Sequence, residues 1–265
     1  MMKIFIPTYY REAEQKCFKH MGACMRENTY LCTRYDRVEA LQHFNPRAKI
    51  IDLGMTDGIA DVRQKLINMA LQMGIDKIFI IDDKVTFNER AYGNLRRADV
   101  GAISSMYFEV MRLLDKYVWV GISDRAGNNR VKDSLVEVAR SYSCYAINVK
   151  KFNKLGITFD GMYQKDNNIK QYEDFYALLS LLSKGEPNAV LYDWAFNHTH
   201  GQQGGNSMHR TTNSHAKSLY ALQKEFPDYV KIRIKKDVSW SATKGDNHRY
   251  EPIIQWKKIY RDNIQ

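Results

Sequence analysis

The chain has 265 residues, of which 44% are hydrophobic and 26% are charged, the composition of a globular protein with one large domain. No apolar run approaches the ~18 residues of a membrane helix, so we expect neither a membrane-spanning protein nor a membrane partner. The net charge of +10 favours anionic partners without distinguishing a nucleic acid from a nucleotide. The four cysteines lack a metal-binding spacing, and we expect buried thiols in a cytoplasmic protein.

The first 85 residues alternate short apolar runs with segments of helical periodicity, the pattern of a doubly wound sheet. Strands are predicted at 3–7, 29–33, 49–53 and 77–81, and helices at 11–25, 38–44 and 56–73. In such sheets ligands bind at the carboxyl ends of the parallel strands. Neither a G-x-G-x-x-G fingerprint nor a P-loop motif follows the first strand, so a nucleotide would be bound without a glycine-rich phosphate loop.

The second half alternates less regularly. Strands are predicted at 118–123, 143–149, 189–194 and 230–236, and helices at 106–117, 172–183 and 216–226. Residues 197–215 are polar and rich in Gly, Asn, His and Thr, which predicts a loop over the site. The fold class is therefore α/β, with a Rossmann-type, mostly parallel sheet flanked by helices and a mixed C-terminal half.

Asp82 and Asp83 leave the strand at 77–81 and are the strongest chemical signal in the sequence. Two carboxylates at the mouth of an apolar strand are costly unless they bind a cation or accept hydrogen bonds. One interpretation is a site for the ribose and the metal-bound diphosphate of a sugar nucleotide. The other is a turn capped by aspartates, and the residues alone leave both open.

Three segments resemble the GT-A glycosyltransferases in order and spacing. The run Ile4-Phe5-Ile6-Pro7-Thr8-Tyr9-Tyr10-Arg11 is similar to their opening I/V-P-T-Y-N-R strand, Gly58-Ile59-Ala60-Asp61-Val62-Arg63-Gln64 to their G-I-x-x-x-R-N helix start, and Ile80-Ile81-Asp82-Asp83-Lys84-Val85 to I-D-D-D-V. Glu173-Asp174 resembles their later acidic pair. The sequence resembles in particular the TET-associated glycosyltransferase family, largely from bacteriophages, whose members add sugars to hydroxymethylated pyrimidines in DNA.

The resemblance implies a GT-A-like fold and a role for each matching residue. The implied donor-binding residues are Thr8, Tyr9, Arg11, Arg63, Asp82, Asp83 and Lys84. Glu173 and Asp174 would approach the acceptor, and Asp174 before Glu173 would remove the acceptor hydroxyl proton in an inverting enzyme. The alternatives are a surface arginine at Arg63 and an acidic pair that merely favours a helix N-terminus.

Lys84 occupies the third position of the family's acidic triplet, which leaves two interpretations of the donor site. In one, Mn²⁺ or Mg²⁺ is bound by Asp83 together with His198 or His200. In the other, the Lys84 ammonium itself neutralises the departing diphosphate. A His-x-His pair in a polar loop is otherwise simply solvated.

We therefore expect a UDP-sugar-dependent hexosyl- or pentosyltransferase acting on 5-hydroxymethylcytosine or 5-hydroxymethyluracil in duplex DNA, in the host cytoplasm if the chain comes from a bacteriophage. Asn206, Arg210 and Trp240 are the candidate DNA contacts, since cations and rings together suit nucleic acid. One catalytic domain would span 1–265, with a nucleotide-sugar half at 1–97 and an acceptor half at 98–265. A polysaccharide, lipid or protein acceptor is the alternative. A non-catalytic nucleic-acid-binding module is a third interpretation, which leaves Asp82-Asp83 unexplained.

Overall fold

A computed structural model describes residues 1–197, 211–236 and 248–264. The strands are β1 (Lys3–Pro7), β2 (Thr29–Thr33), β3 (Lys49–Asp52), β4 (Lys77–Ile81), β5 (Thr86–Ala91), β6 (Asn94–Arg97), β7 (Trp119–Asp124), β8 (Leu135–Glu137), β9 (Cys144–Asn148), β10 (Ala189–Asn197), β11 (Val230–Lys236) and β12 (His248–Ile254). The helices are α1 (Lys16–His20), α2 (Ala23–Glu27), α3 (Val38–Phe44), α4 (Ile59–Gln72), α5 (Val100–Leu113), α6 (Arg125–Asn128), α7 (Val149–Lys154), α8 (Gly161–Lys165), α9 (Glu173–Leu182), α10 (Thr212–Glu225) and α11 (Trp256–Asn263).

The strands β1 to β10 form one sheet in the order β3-β2-β1-β4-β9-β7-β10-β5-β6, with β8 also paired to β10. The first four strands are mutually parallel. In the second half β9 runs antiparallel to β4 and β7, whereas β10 runs parallel to β7. The predicted α/β class is confirmed, with the parallel part of the sheet in the first half of the chain and the mixed part in the second.

Helices cover both faces of this sheet, and the residues of β4 show how. Ile78 and Ile80 pack in the core beneath α4 and α9, whereas Phe79 and Ile81 pack in the core beneath α5. This alternation follows from the two-residue period of a strand. It continues past the end of β4 and directs Asp82 and Asp83 to opposite faces of the sheet.

Several predicted elements differ in the structure. The helix expected at 11–25 is the two short helices α1 and α2, which meet at Gly22, where a side chain would lie 2.8 Å from Val100. The loop expected at 197–215 gives way to α10 at Thr212, because Thr211 and Ser214 form a capping box. The β5–β6 hairpin was not predicted, and α5 begins at residue 100 rather than 106.

Cysteine burial and helix length are also given by the described residues. Cys17, Cys32 and Cys144 are buried thiols as expected, but Cys24 is exposed because α2 buries only Met25. Within 1–197, 211–236 and 248–264, no helix combines the length and apolar character needed to cross a bilayer.

Candidate functional site

Polar side chains gather where β1, β4 and β7 end, at the carboxyl edge of the sheet. These strands run in the same direction, because β4 and β7 are both antiparallel to the β9 strand between them. Ligands bind at this edge in open α/β sheets. Two groups of residues lie here on opposite faces of the sheet, and we name them the Asp83 network and the Arg63 cluster.

The Asp83 network ties the end of β4 to the loop after β1. Asp83 is 3% exposed, and its two carboxylate oxygens accept hydrogen bonds from the Thr8 hydroxyl at 2.8 Å and the Arg11 guanidinium at 3.2 Å. Gln15 donates to the Thr8 hydroxyl and to the Arg11 carbonyl. Burial raises the pKa of Asp83, against the lowering effects of Arg11 and Thr8. Both oxygens of this carboxylate are therefore engaged by the protein itself.

The Arg63 cluster lies on the other face, beneath α4 and α9. Arg63 forms an ion pair with Glu173, and its guanidinium nitrogens lie 3.4 Å from Asp174 and 3.5 Å from Asp82. The guanidinium also lies over the ring of Tyr145, 5.3 Å from its centroid. Burial alone would lower the pKa of Arg63, but Tyr145 and the three carboxylates outweigh it and raise that pKa above its ordinary value. The arginine is a permanent cation that joins β4, α4 and α9.

The position of Arg63 follows from the helix that carries it. The most buried residues of α4 are Ala60, Arg63, Leu66, Ile67 and Ala70, spaced three or four apart on the face that contacts the sheet. Met73, which follows the last residue of the helix, is 49% exposed. Gly58 precedes the helix with a φ of +88°, a conformation that favours glycine.

The members of the Arg63 cluster differ in exposure. The side chains of Arg63 and Glu173 are 4% and 7% exposed, whereas those of Asp174 and Asp82 are 16% and 24% exposed. Asp174 also accepts a hydrogen bond from the Phe175 amide in the first turn of α9. The cluster therefore presents Asp82 and Asp174 toward solvent and keeps Glu173 as the buried partner of the arginine.

The described part of the chain supplies no cluster of metal ligands beside Asp83. Among the described residues, no group of three or more His, Cys, Asp or Glu side chains has the arrangement of a metal site. Asp83 uses both carboxylate oxygens in the hydrogen bonds given above. His198 and His200 lie outside the described residues, as do Asn206, Arg210 and Trp240.

A second polar surface lies beside the Asp83 network at the ends of β1 and β2. The Arg34 guanidinium lies 4.8 Å from the centroid of the Tyr9 ring, and the Arg37 guanidinium lies 4.4 Å from that of Tyr10. Arg34 is oriented by two hydrogen bonds of 2.6 Å to Asp36. Flat rings and guanidinium groups in this arrangement can stack on another planar ring.

Lys84 and Asp124 complete the edge. Lys84 is half-buried in the turn that links β4 to β5, which is closed by a hydrogen bond of 3.1 Å from the Val85 amide to the Asp82 carbonyl. Asp124 ends β7 and accepts a hydrogen bond from Tyr142. Asp124 was not predicted as a site residue, although an acidic residue directly after the strand predicted at 118–123 is the same kind of signal as Asp82.

Comparisons with known proteins show the family and the fold of this chain. The sequence model of the TET-associated glycosyltransferase family matches residues 2–206. The beta-glucosyl-HMC-alpha-glucosyl-transferases of Enterobacteria phages T2 and T6 are 22% and 23% identical over 248 and 240 residues, each alignment covering 87% of this chain and 83% of the relative. Residues 1–349 of S. aureus TarS in complex with UDP superpose with a TM-score of 0.53 at 10% identity, covering 86% of this chain and 65% of that one. The predicted GT-A-like fold is confirmed.

Proposed function

We propose, because this chain belongs to the TET-associated glycosyltransferase family, that the enzyme transfers a sugar from a UDP-sugar to the hydroxymethyl group of a modified pyrimidine in DNA. The observation that carries the proposal is the exposure of Asp82 and Asp174 around the buried Arg63, at the edge of the sheet where this fold binds ligands. The UDP found with the structurally similar TarS supports the choice of donor.

Each half of the chain contributes to the reaction in this proposal. The nucleotide-sugar half, 1–97, supplies the rings and guanidinium groups beside Tyr9 to stack on the uracil ring, and Asp82 to bind the ribose. The acceptor half, 98–265, supplies Asp174 within the same catalytic domain. The acceptor oxygen attacks C1 of the sugar, the bond from C1 to the diphosphate breaks, and UDP leaves with the electron pair. Asp174 takes the proton of the attacking hydroxyl if the anomeric configuration is inverted.

Arg63 is a positioning residue in this mechanism and does not contact the diphosphate. Its guanidinium is 4% exposed and surrounded by three carboxylates, so a phosphate would have to displace them. Its role is to fix Asp82 and Asp174 relative to each other. If a divalent ion takes part, Asp82 is the carboxylate that the described site offers it, and the ion would neutralise charge on the diphosphate.

The acceptor is a hydroxymethylated base in DNA, where the 5-substituent projects into the major groove. The phage T2 and T6 relatives are named for an acceptor that already carries a β-glucosyl group on HMC. We extend the proposal to that acceptor, and both forms are therefore tested. A DNA acceptor also implies a reaction in the cytoplasm, that of the host cell if the chain comes from a phage.

The test is a transfer assay with matched duplexes that contain cytosine, 5-hydroxymethylcytosine, 5-hydroxymethyluracil or β-glucosyl-5-hydroxymethylcytosine. Each duplex is incubated with a panel of UDP-sugars and digested to nucleosides for mass spectrometry. We expect one added hexose or pentose on a hydroxymethylated or glucosylated base and none on cytosine. Transfer only to polysaccharide, lipid or protein acceptors would overturn the DNA assignment while leaving the glycosyltransferase family intact.

Variants of the two carboxylates connect this assay to the site. Asp174→Asn should reduce kcat by about 10²- to 10⁴-fold, the usual contribution of a general base, with little change in melting temperature because the side chain is partly exposed. Glu173→Gln is the matched control, since it tests the adjacent carboxylate and should mainly affect stability. Near-normal turnover of Asp174→Asn would show that another group accepts the proton.

A further inference from the structure

Residues 230–254 contain a two-stranded antiparallel ribbon that is separate from the main sheet. The strands β11 and β12 pair along their whole length, from Val230 opposite Ile254 to Lys236 opposite His248. The ribbon lies after residue 206, where the match to the family model ends. It is therefore an element whose role the family match does not explain.

The inner face of the ribbon is apolar and packs on the core. Val230 is fully buried, and Ile232, Tyr250 and Ile254 pack against the same core. The ring of Tyr250 lies 6.2 Å from that of Tyr220 on α10. This face is accounted for by the fold.

The outer face carries the alternate residues of each strand, because side chains alternate between faces and opposed residues share a face. Lys231, Arg233 and Lys235 on β11 stand opposite Ile253, Glu251 and Arg249 on β12. The two strands together hold five Lys or Arg residues and one carboxylate. Over residues 230–254 the sequence has six Lys or Arg against three Asp or Glu.

Glu251 gathers three of these cations. Its carboxylate lies 2.8 Å from Arg233, 3.1 Å from Lys235 and 3.1 Å from Arg249. Burial raises the pKa of Glu251, but the hydrogen bonds from Arg233 and Lys235 and the charge of Arg249 outweigh it and lower that pKa. The cations are 39–54% exposed, whereas Glu251 is 15% exposed. The carboxylate therefore orients a row of cations whose heads face solvent.

The ribbon is anchored beside the candidate acceptor carboxylates. The Trp256 ring, at the start of α11, lies edge-on to Phe175 at 5.5 Å. At the N-terminal end of α10, His215 is hydrogen-bonded to Tyr172 at 2.8 Å and Ser214 accepts from Gln171 at 3.1 Å. These contacts flank Glu173 and Asp174 in the sequence, so the segment with the ribbon contacts the start of α9.

We propose that the outer face of the β11–β12 ribbon binds the phosphate backbone of the duplex acceptor and holds the target base near α9. The inference rests on the proposed DNA acceptor and names the surface that recognises it. A row of oriented, exposed cations is complementary to phosphates spaced along a strand. A two-stranded ribbon also has the width that the major groove admits, and the 5-substituent of the target pyrimidine projects into that groove.

The test compares two triple variants of equal charge. The ribbon variant is Lys231→Gln/Arg233→Gln/Lys235→Gln. The control variant is Arg112→Gln/Lys116→Gln/Lys150→Gln, whose side chains are 68–71% exposed and lie at the opposite edge of the sheet. Binding to a fluorescent hydroxymethylated duplex is measured by anisotropy across a range of salt concentrations, and transfer is measured as a function of duplex concentration.

The ribbon variant should lose salt dependence as well as affinity. Each lost phosphate contact removes about 0.9 from the slope of log K against log salt, so three contacts remove roughly 2.7. Affinity at ~0.1 M salt should fall on the order of 100-fold, and the KM for DNA should rise much more than kcat falls. The control variant should keep the wild-type slope and KM.

The outcomes distinguish a failure of the ribbon proposal from a failure of the proposed function. Equal slopes and equal KM values for the ribbon and control variants would overturn the ribbon assignment while wild-type transfer to DNA upholds the proposed function. No binding or transfer to any modified duplex by the wild-type chain would overturn both. If the triple variant fails to melt cooperatively, Lys231→Gln alone should still reduce the magnitude of the slope by about 0.9. This single variant should fold, because Lys231 is exposed.

Discussion

Replacing Arg63 with methionine should destabilise the protein strongly, because it removes the cation that three carboxylates share. Methionine approximates the length of the arginine stem and fills the space beneath α4. The guanidinium, however, is 4% exposed and its ion-pair partner Glu173 is 7% exposed. The variant therefore leaves a buried carboxylate without the charge that compensated its removal from water.

The expected loss is about 3–5 kcal/mol, the usual cost of breaking a buried pair by removing one partner. Asp82, which is 24% exposed and 3.5 Å from the guanidinium, contributes little to this figure because water screens it. For a chain of this size, such a loss lowers the melting temperature by on the order of 10 °C. Glu173 accounts for most of the effect.

The measurement is chemical denaturation of five proteins: wild type, Arg63→Met, Arg63→Lys, Glu173→Gln and the Arg63→Met/Glu173→Gln double variant. The double variant should be more stable than Arg63→Met alone, by about 1–3 kcal/mol, because it no longer buries the Glu173 charge in the absence of the guanidinium. Arg63→Lys retains the charge and should lie between Arg63→Met and wild type. Two results would contradict this inference: Arg63→Met unfolding at the same denaturant concentration as wild type, or a double variant no more stable than Arg63→Met. Either would show that the guanidinium does not hold α4 and α9 together.

Three further predictions concern the same edge of the sheet. Asp82→Asn should abolish transfer without lowering the melting temperature, whereas Asp83→Asn should cost roughly 1–3 kcal/mol of stability in calorimetry. Equal melting temperatures of the two variants would contradict the difference in burial between Asp82 and Asp83. If Lys84 replaces a metal, transfer should survive EDTA and Lys84→Ala should lose most turnover; EDTA-sensitive transfer with a silent Lys84→Ala would show metal dependence. Burial raises the pKa of Glu12, but the Arg37 hydrogen bond outweighs it and lowers that pKa. Glu12→Gln should therefore be less stable than wild type at pH 7, and the difference in unfolding free energy should disappear below about pH 4. A difference that does not change with pH would refute the ion pair.

The parallel part of the sheet was predictable because its signals are local. Each of β1 to β4 is four or five residues long and has an apolar centre, and the intervening segments have the length of crossover connections. The β5–β6 hairpin was not predicted because its strands are largely polar, with Arg96 and Arg97 on β6, and lack an apolar run. The order of β7, β9 and β10 depends on pairing between distant segments, which no local pattern specifies.

The separation of Asp82 from Asp83 could have been predicted, but the partners of Arg63 could not. Strand alternation alone places adjacent residues on opposite faces. A buried arginine, by contrast, interrupts an apolar helical stripe and looks like a surface residue until its partner is known. That partner, Glu173, lies 110 residues away in the sequence.

In the structure, α9 contacts both the Arg63 cluster and α11, the helix that follows the ribbon. Its first turn carries Glu173, bound to Arg63, and Asp174, which is the more exposed of the two. Its following residues contact α11, which continues from the ribbon. A duplex bound to the ribbon would therefore act on the same helix that positions the acceptor carboxylate. Since coupling between two sites is reciprocal, we expect a UDP-sugar to strengthen DNA binding by the same factor that DNA strengthens binding of the donor.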